Sequence, residues 1–219
     1  MLDTAEVPDN GGELRLLQRG TEFSIRLGHN ELMNSRIHGS EEALAKIACA
    51  RIGARARPRI LIGGLGMGFT LRAALDMIGA EAGVVVAELV PAVVAWNRGP
   101  LAGVSGHSLA DARVSIREVD VASLIRSERS AYDAILLDVD NGPEALTRKA
   151  NDRLYDLAGL GAAQAALRPG GVLAVWSAGP DKGFTRRLRK IGFAVDEVRV
   201  RARGPRGGAH HIVWIAARP

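Results

Sequence analysis

The sequence predicts an α/β domain: a doubly wound, mostly parallel sheet preceded by a small N-terminal β-meander and finished by a C-terminal antiparallel hairpin. Three observations predict it. From Arg59 onward, short apolar runs alternate with helical segments, which is the pattern of βαβ units sharing one sheet. Several of those runs, Val84-Val85-Val86 and Ala134-Ile135-Leu136-Leu137 among them, are apolar throughout, as strands are when helices cover both faces. Near the C-terminus the period becomes strict alternation, with Val198, Val200 and Ala202 set between Arg199, Arg201 and Arg203, so one face is apolar and the other cationic.

Each segment follows in order. Residues 1–12 read as a flexible tail ending in Asn10-Gly11-Gly12. Residues 13–57 read as the meander and a helix. Phe23, Ile25 and Leu27 alternate with Ser24 and Arg26 before a Gly28-His29-Asn30 turn and Leu32-Met33. Ser40-Glu41-Glu42 supplies a cap residue and first-turn acids, and Gly53 supplies a stop. Residues 58–219 form the main domain. Its strands are expected at 59–63, 83–88, 112–118, 132–138 and 171–177, with helices near 67–79, 90–98, 121–129 and 151–167. Asn151 is the expected cap of the last of these, and Pro169-Gly170-Gly171 its end. After a helix at 181–191, residues 193–203 and His211–Ile215 flank a Gly204-Pro205-Arg206-Gly207-Gly208 loop. That is the hairpin, and its outward arginines protect the sheet edge. A parallel sheet finished in this way points to the Rossmann-like class I S-adenosylmethionine-dependent methyltransferase architecture.

Composition narrows the classes further. With 219 residues, 47% hydrophobic and 24% charged, the chain has ordinary globular usage and enough length for one continuous core, which excludes a disordered protein. Cys49 is the only cysteine and the 5 histidines show no ligand spacing, so neither a disulfide nor a metal is expected. No apolar run reaches the roughly 18 residues of a membrane span. The first ten residues, Met1 to Asn10, carry acids where a signal peptide carries basic groups. A cytoplasmic location is the expectation. A net charge of +5 permits an anionic partner without requiring one.

The most specific segment is Ile60-Leu61-Ile62-Gly63-Gly64-Leu65-Gly66-Met67-Gly68, between a strand and a helix. Gly64, Gly66 and Gly68 admit torsions closed to other residues and let a ligand approach the main chain, and the helix that follows offers free N–H donors. Glycines also serve tight turns, so the loop alone decides little. Glu88 adds weight, because it ends the next apolar strand 20 residues beyond Gly68, where an acid can accept from both hydroxyls of a ribose. The nucleoside site is therefore expected from Gly63, Gly64, Leu65, Gly66, Gly68, Glu88 and Leu89, with Asp120, Val121 and Asp138. The spacing does not separate NAD from S-adenosylmethionine; the C-terminal hairpin and Asp120 favour the sulfonium nucleoside. Asp120 serves equally well as a cap for the helix after it.

A second constellation follows the fourth strand: Asp138-Val139-Asp140-Asn141-Gly142-Pro143. An amine must lose a proton before it attacks a sulfonium carbon, and a partly buried carboxylate can accept it. Asp138 is the first candidate and Asp140 the second; the alternative is a turn in which these side chains bond their own backbone.

With these residues in view the chain, from about residue 13 to its end, resembles the spermidine synthases (polyamine aminopropyltransferases). The resemblance rests on the N-terminal meander, Ile62-Gly63-Gly64 with Thr70-Leu71-Arg72, Glu88, Asp120, Tyr132-Asp133 with Asp138, and Leu167-Arg168-Pro169-Gly170-Gly171-Val172-Leu173. It implies that Glu88 holds the ribose, that Asp120 lies by the adenine and that Asp138 deprotonates an acceptor amine. It further implies a donor that is S-adenosylmethionine or its decarboxylated form, a small-molecule acceptor and a homo-oligomer, a homodimer or a tetramer. Three features depart from that family. Leu65-Gly66-Met67 holds no acid for the amine of the decarboxylated donor; Asn141 replaces an acid; and no Tyr or His pair for a polyamine appears between Gly39 and Ile52.

The expected function is transfer of an alkyl group, methyl or aminopropyl, to a small nucleophile. Two alternatives stand beside it: a nucleic-acid or protein methyltransferase, and a nucleoside-binding protein without catalysis. Lys182, Arg186, Arg187, Arg189 and Lys190 concentrate charge near the C-terminus, but no interleaved aromatics accompany them, so a solvated face is expected rather than a nucleic-acid footprint. His38 is a candidate for the acceptor side, Trp96 for core packing and Trp176 for either.

Overall fold

In the computed structural model, residues 1–8, 11–139 and 152–219 are described; Asp140, Asn141 and the expected cap Asn151 lie outside them. Two sheets organise the chain. The first is antiparallel, with β1 (Asp3–Glu6), β2 (Glu13–Arg19), β3 (Glu22–Leu27) and β4 (Asn30–Asn34) in sequential order.

Strand β1 corrects the expectation of a loose tail. Asp3 to Glu6 pair with Leu16 to Glu13, and the Trp96 indole donates to Asp3 Oδ2 at 2.7 Å. An edge strand with only Ala5 packed against the core, and Val7 just beyond its end, carries too little alternation to be read in advance. Helix α1 (Gly39–Ile52) follows. Its N-cap position is His38, without a side-chain cap bond; Ser40, the expected cap, is fully buried inside the first turn and bonds elsewhere through its hydroxyl.

The second sheet contains β5 (Arg59–Gly63), β6 (Gly83–Ala87), β7 (Val114–Arg117), β8 (Tyr132–Leu137), β9 (Leu167–Ser177), β10 (Ala194–Arg201) and β11 (His210–Ala217) in the order β10-β11-β9-β8-β5-β6-β7. Pairing is parallel from β7 to β9 and antiparallel through the terminal hairpin. Helices α2 (Phe69–Leu75), α3 (Pro91–Arg98), α4 (Val121–Ser127), α5 (Asp152–Tyr155), α6 (Leu157–Ala166) and α7 (Lys182–Ile191) complete the alternation.

Period-two side chains divide the core into two layers. Ile60, Ile62, Leu136 and Ala174 join Leu44, Leu71 and Val94 of α1 to α3 on one face, where Leu14, Leu16 and Ile25 of the small sheet also pack. Leu61, Ile135, Leu137 and Val175 meet Ile125, Leu160 and Leu188 of α4, α6 and α7 on the other.

Two expected helix boundaries move. The 151–167 helix is broken at Asp156, whose side chain accepts from Gly159 N at 2.7 Å and so caps α6 afresh. Strand β9 begins before Pro169-Gly170-Gly171, which the sheet absorbs at a register shift opposite Tyr132/Ala134. The chain runs outward in both directions from the adjacent pair β5 and β8, so their carboxyl ends flank the topological switch point where such sheets bind ligands.

Candidate active site

The loop after β5 folds back on that switch point. Gly64 has φ +86°, and a Cβ there would lie 2.6 Å from the Asp138 carbonyl oxygen, so only glycine fits. Its N–H donates to Ala87 O at 2.9 Å, which ties the loop to the end of β6. The next residue beyond that strand is Glu88, only 8% exposed. Its Oε2 accepts from Leu65 N and its Oε1 from Val90 N, both at 2.9 Å. Burial raises the pKa of this carboxyl, and amide donors, those of Val90 and Leu65 first, oppose the rise. One side chain thus pins the glycine loop to the start of α3 and presents its carboxylate at the wall of a cleft.

That cleft is lined by Gly64, Gly66, Glu88, Leu89, Asp120, Val121 and Asp138, seven of the residues expected from sequence. The other expected loop residues stand behind it. Gly63 packs against Val121 and Leu137, and Gly68 against Ser105 and Asn97, while the Leu65 side chain is buried. Asp120 caps α4, its Oδ1 accepting from Ala122 N at 2.8 Å, and it also borders the cleft. The opposite wall is apolar and comes from the small sheet through Leu14, Ile25, Leu27, Leu32 and Met33. Met33 lies directly over Gly66, where a Cβ would be 2.5 Å from its Cε.

The Asp138 side chain turns toward the first turns of α1 and α2. Its Oδ2 accepts from Thr70 Oγ1 at 2.7 Å, and the same hydroxyl lies 3.4 Å from the Glu41 carbonyl oxygen. Burial raises the Asp138 pKa against the Thr70 hydrogen bond. Glu41 is the second acid here; burial, then the negative charge of Asp138, pushes its carboxyl up to about 7. Neighbouring Glu42 pairs with Arg72 at 2.6 Å and Lys46 at 2.9 Å, and His38 Nδ1 lies 2.8 Å from its Oε1. His38 also stacks on Phe69 with ring centroids 4.3 Å apart, which gives it a packing role. Glu41 and Thr70 were not expected as a pair with Asp138; the visible signal was Ser40-Glu41-Glu42, which equally describes an ordinary helix start.

Asp133, by contrast, is structural. It is 1% exposed and accepts from Arg55 Nη1 at 2.7 Å and from Arg59 N and Arg168 Nη1 at 2.8 Å. Trp96 packs in the core at 2% exposure. Trp176 meets the His211 ring edge-on at 4.8 Å. Arg199, Arg201 and Arg203 face solvent on the hairpin. Among the described residues no group of three or more His, Cys, Asp or Glu is placed to hold a metal ion, and no helix is long and apolar enough to cross a membrane.

Solved structures share this fold. Spermidine synthase from Thermotoga maritima matches the whole of this chain over 72% of its own, with a TM-score of 0.78 at 19% identity. The fold is spermidine-synthase-like. A spermidine synthase in complex with the transition-state analogue AdoDATO matches over the same shares with a TM-score of 0.77 at 18% identity. A probable spermidine synthase from Corynebacterium glutamicum matches over 81% of its length with a TM-score of 0.66 at 18% identity. No protein-family model matches the chain, and neither does any curated protein. Identities this low establish a common architecture.

Proposed function

We propose that the protein transfers an alkyl group from a sulfonium nucleoside, S-adenosylmethionine or its decarboxylated form, to the amine of a small-molecule acceptor. One observation carries this reading. Glu88, locked to the glycine loop, and Asp138, at the end of β8, border the same cleft on either side of Gly64. An adenosyl ligand seated there has its ribose hydroxyls at Glu88, its adenine by Asp120 and Val121, and its sulfonium end over Gly64 and Gly66, toward Asp138. The apolar wall from Leu14 to Met33 excludes water from the reacting carbon.

The reaction is a direct displacement. The acceptor nitrogen forms a bond to the carbon on sulfur, the carbon–sulfur bond breaks, and its electron pair stays on sulfur. Asp138 takes the proton that the ammonium must lose first, and alignment in the cleft supplies much of the rate. Methyl transfer is favoured over aminopropyl transfer by one feature of the loop: Leu65-Gly66-Met67 holds no carboxylate for the amine of the decarboxylated donor, which lacks the α-carboxylate that balances the same amine in S-adenosylmethionine and whose burial without a partner is costly.

Calorimetry with S-adenosylmethionine, its decarboxylated form, methylthioadenosine and NAD tests the reading. Tighter binding of a sulfonium nucleoside than of NAD is the expected result. Preference for the decarboxylated donor would reverse the methyl assignment, preference for NAD would overturn the whole, and binding without turnover on any amine would leave a nucleoside-binding protein.

A further inference from the structure

Beyond the donor cleft, the carboxyl edge of the sheet holds a second polar cluster built from four elements. Asp138 comes from the end of β8, Thr70 from α2, Ser40 and Glu41 from the first turn of α1, and His211 from β11. Ser40 Oγ donates to Glu41 Oε2 at 2.6 Å, and His211 Nδ1 lies 3.0 Å from the same hydroxyl. Ser40 is fully buried and Thr70 only 3% exposed. The Trp176 indole, edge-on to His211, has a buried Nε1 without a hydrogen-bond partner among the described residues. The nearby charges on Glu42, Lys46 and Arg72 satisfy one another. The two inward carboxyls therefore meet no cation among the described residues. A helix start that needed only a cap would not set a half-buried glutamate and a half-buried aspartate about one threonine hydroxyl, which donates to the Asp138 carboxyl at 2.7 Å and lies 3.4 Å from the Glu41 carbonyl oxygen, since two like charges held together there are costly.

Resting on the transfer function proposed above, we infer that Glu41 and Asp138 form one proton-accepting pair for the acceptor ammonium, with Ser40 and His211 as positioning residues that hold Glu41 in place. The carboxyls share a single proton at rest, and the entering ammonium displaces it to water. The ammonium then gives one proton to the ionised pair, and the neutral amine attacks the sulfonium carbon. The products are the thioether nucleoside and the alkylated ammonium, and they leave the pair with the single proton it holds at rest. The site selects a cationic amine because that charge replaces the shared proton.

Geometry adds a readout. While Glu41 is ionised, the one hydroxyl proton of Ser40 points to it, and Ser40 Oγ must accept from His211 Nδ1–H. Once Glu41 carries the proton, its hydroxyl donates to Ser40, and Ser40 in turn donates to a bare Nδ1, so the imidazole proton moves to Nε2. Burial lowers the pKa of His211 and keeps the ring neutral.

The full-length chain is titrated by carboxyl-carbon and imidazole-nitrogen NMR, without substrate. A glutamate carboxyl that titrates near neutrality, vanishes in Glu41→Gln, moves to lower pH in Asp138→Asn and switches the His211 tautomer in step is the expected outcome. A Glu41 carboxyl that titrates as an ordinary surface glutamate, or ignores Asp138→Asn, overturns the pair. In turnover with an amine acceptor, Glu41→Gln should lower kcat about tenfold or more with donor affinity retained, and move the acid limb of the profile to lower pH. An unmoved limb overturns the inference. Donor binding by the wild-type chain tests the transfer reading separately, so the two failures are distinguishable. Glu41→Gln keeps the Ser40 contact, and Asp138→Asn reports the same coupling from the other side should either variant fold poorly.

Discussion

Glu88 is a structural brace, and in the proposed function the same side chain is the ribose acceptor; the two roles predict different mutant behaviour. Glu88→Ala frees the amides of Leu65 and Val90 and removes the expected ribose acceptor. Nucleoside affinity should fall by about 1–3 kcal/mol, the worth of a charged hydrogen bond, measured by calorimetry. Unchanged affinity would refute the ribose assignment. Gly64→Ala is harsher, because φ +86° and the Asp138 carbonyl oxygen 2.6 Å from the new methyl require the loop to move. Binding should be lost and stability should drop by about 1–3 kcal/mol, the cost of a forced backbone conformation. Thermal unfolding with and without nucleoside separates the two effects. This half of the site was legible in sequence because torsion and strand order dictate it: glycines at a strand-to-helix turn and an acid closing the next strand are local facts. Glu41 was not legible. Its partner Asp138 is far away in sequence, and only packing of α1 across the end of β8 brings the two carboxyls together.

Parallel strands were readable for a related reason. Strands covered on both faces are apolar throughout, so β5 and β8 stand out at 0–1% exposure along Ile60-Leu61-Ile62 and Ala134-Ile135-Leu136-Leu137. Edge elements lack that signature. Strand β1 carries mostly exposed side chains, and its place depends on backbone pairing and on the Trp96–Asp3 bond, neither of which leaves a periodic trace. Trp96→Phe keeps an aromatic ring in the core and removes the donor. Hydrogen exchange at residues 3–6 should speed up several-fold while core amides in β5 and β8 remain unchanged; uniform exchange across the chain would show that the bond does not hold β1. Asp133 makes the complementary case at the base of β8. Removing a buried acid that accepts from two arginines and a backbone amide should cost about 2–4 kcal/mol in Asp133→Ala, below the largest values because both guanidinium groups remain partly solvated. Denaturant unfolding at constant slope would measure it.

Three carboxyls with raised pKa values, Glu88 buried and Glu41 and Asp138 half-buried, set how the whole molecule responds to pH. Glu41, Glu88 and Asp138 all hold protons more tightly folded than unfolded, because burial penalises the charged form. Between the ordinary carboxylate range near pH 4 and the folded value of about 7 for Glu41, the native state binds more protons than the unfolded chain. Its stability therefore falls as pH rises through that window. His211 acts in the opposite direction. Its pKa is lowered by burial, so below the unfolded imidazole value of about 6.5 the unfolded chain binds the extra proton and stability falls as pH drops. Asp111, held down to about 2 by Arg113, stabilises above the ordinary carboxylate pKa and is lost only in strong acid. Comparing the wild type with Glu41→Gln isolates the Glu41 contribution from these others. The stability of the wild type relative to the variant should decrease by roughly 1–3 kcal/mol between pH 5 and pH 8, because each tenfold difference in proton affinity between folded and unfolded chain is worth about 1.4 kcal/mol. Urea midpoints at each pH give the reading. A difference that stays flat, or grows with pH, would mean that Glu41 is ionised throughout and that its carboxyl is not confined beside Asp138.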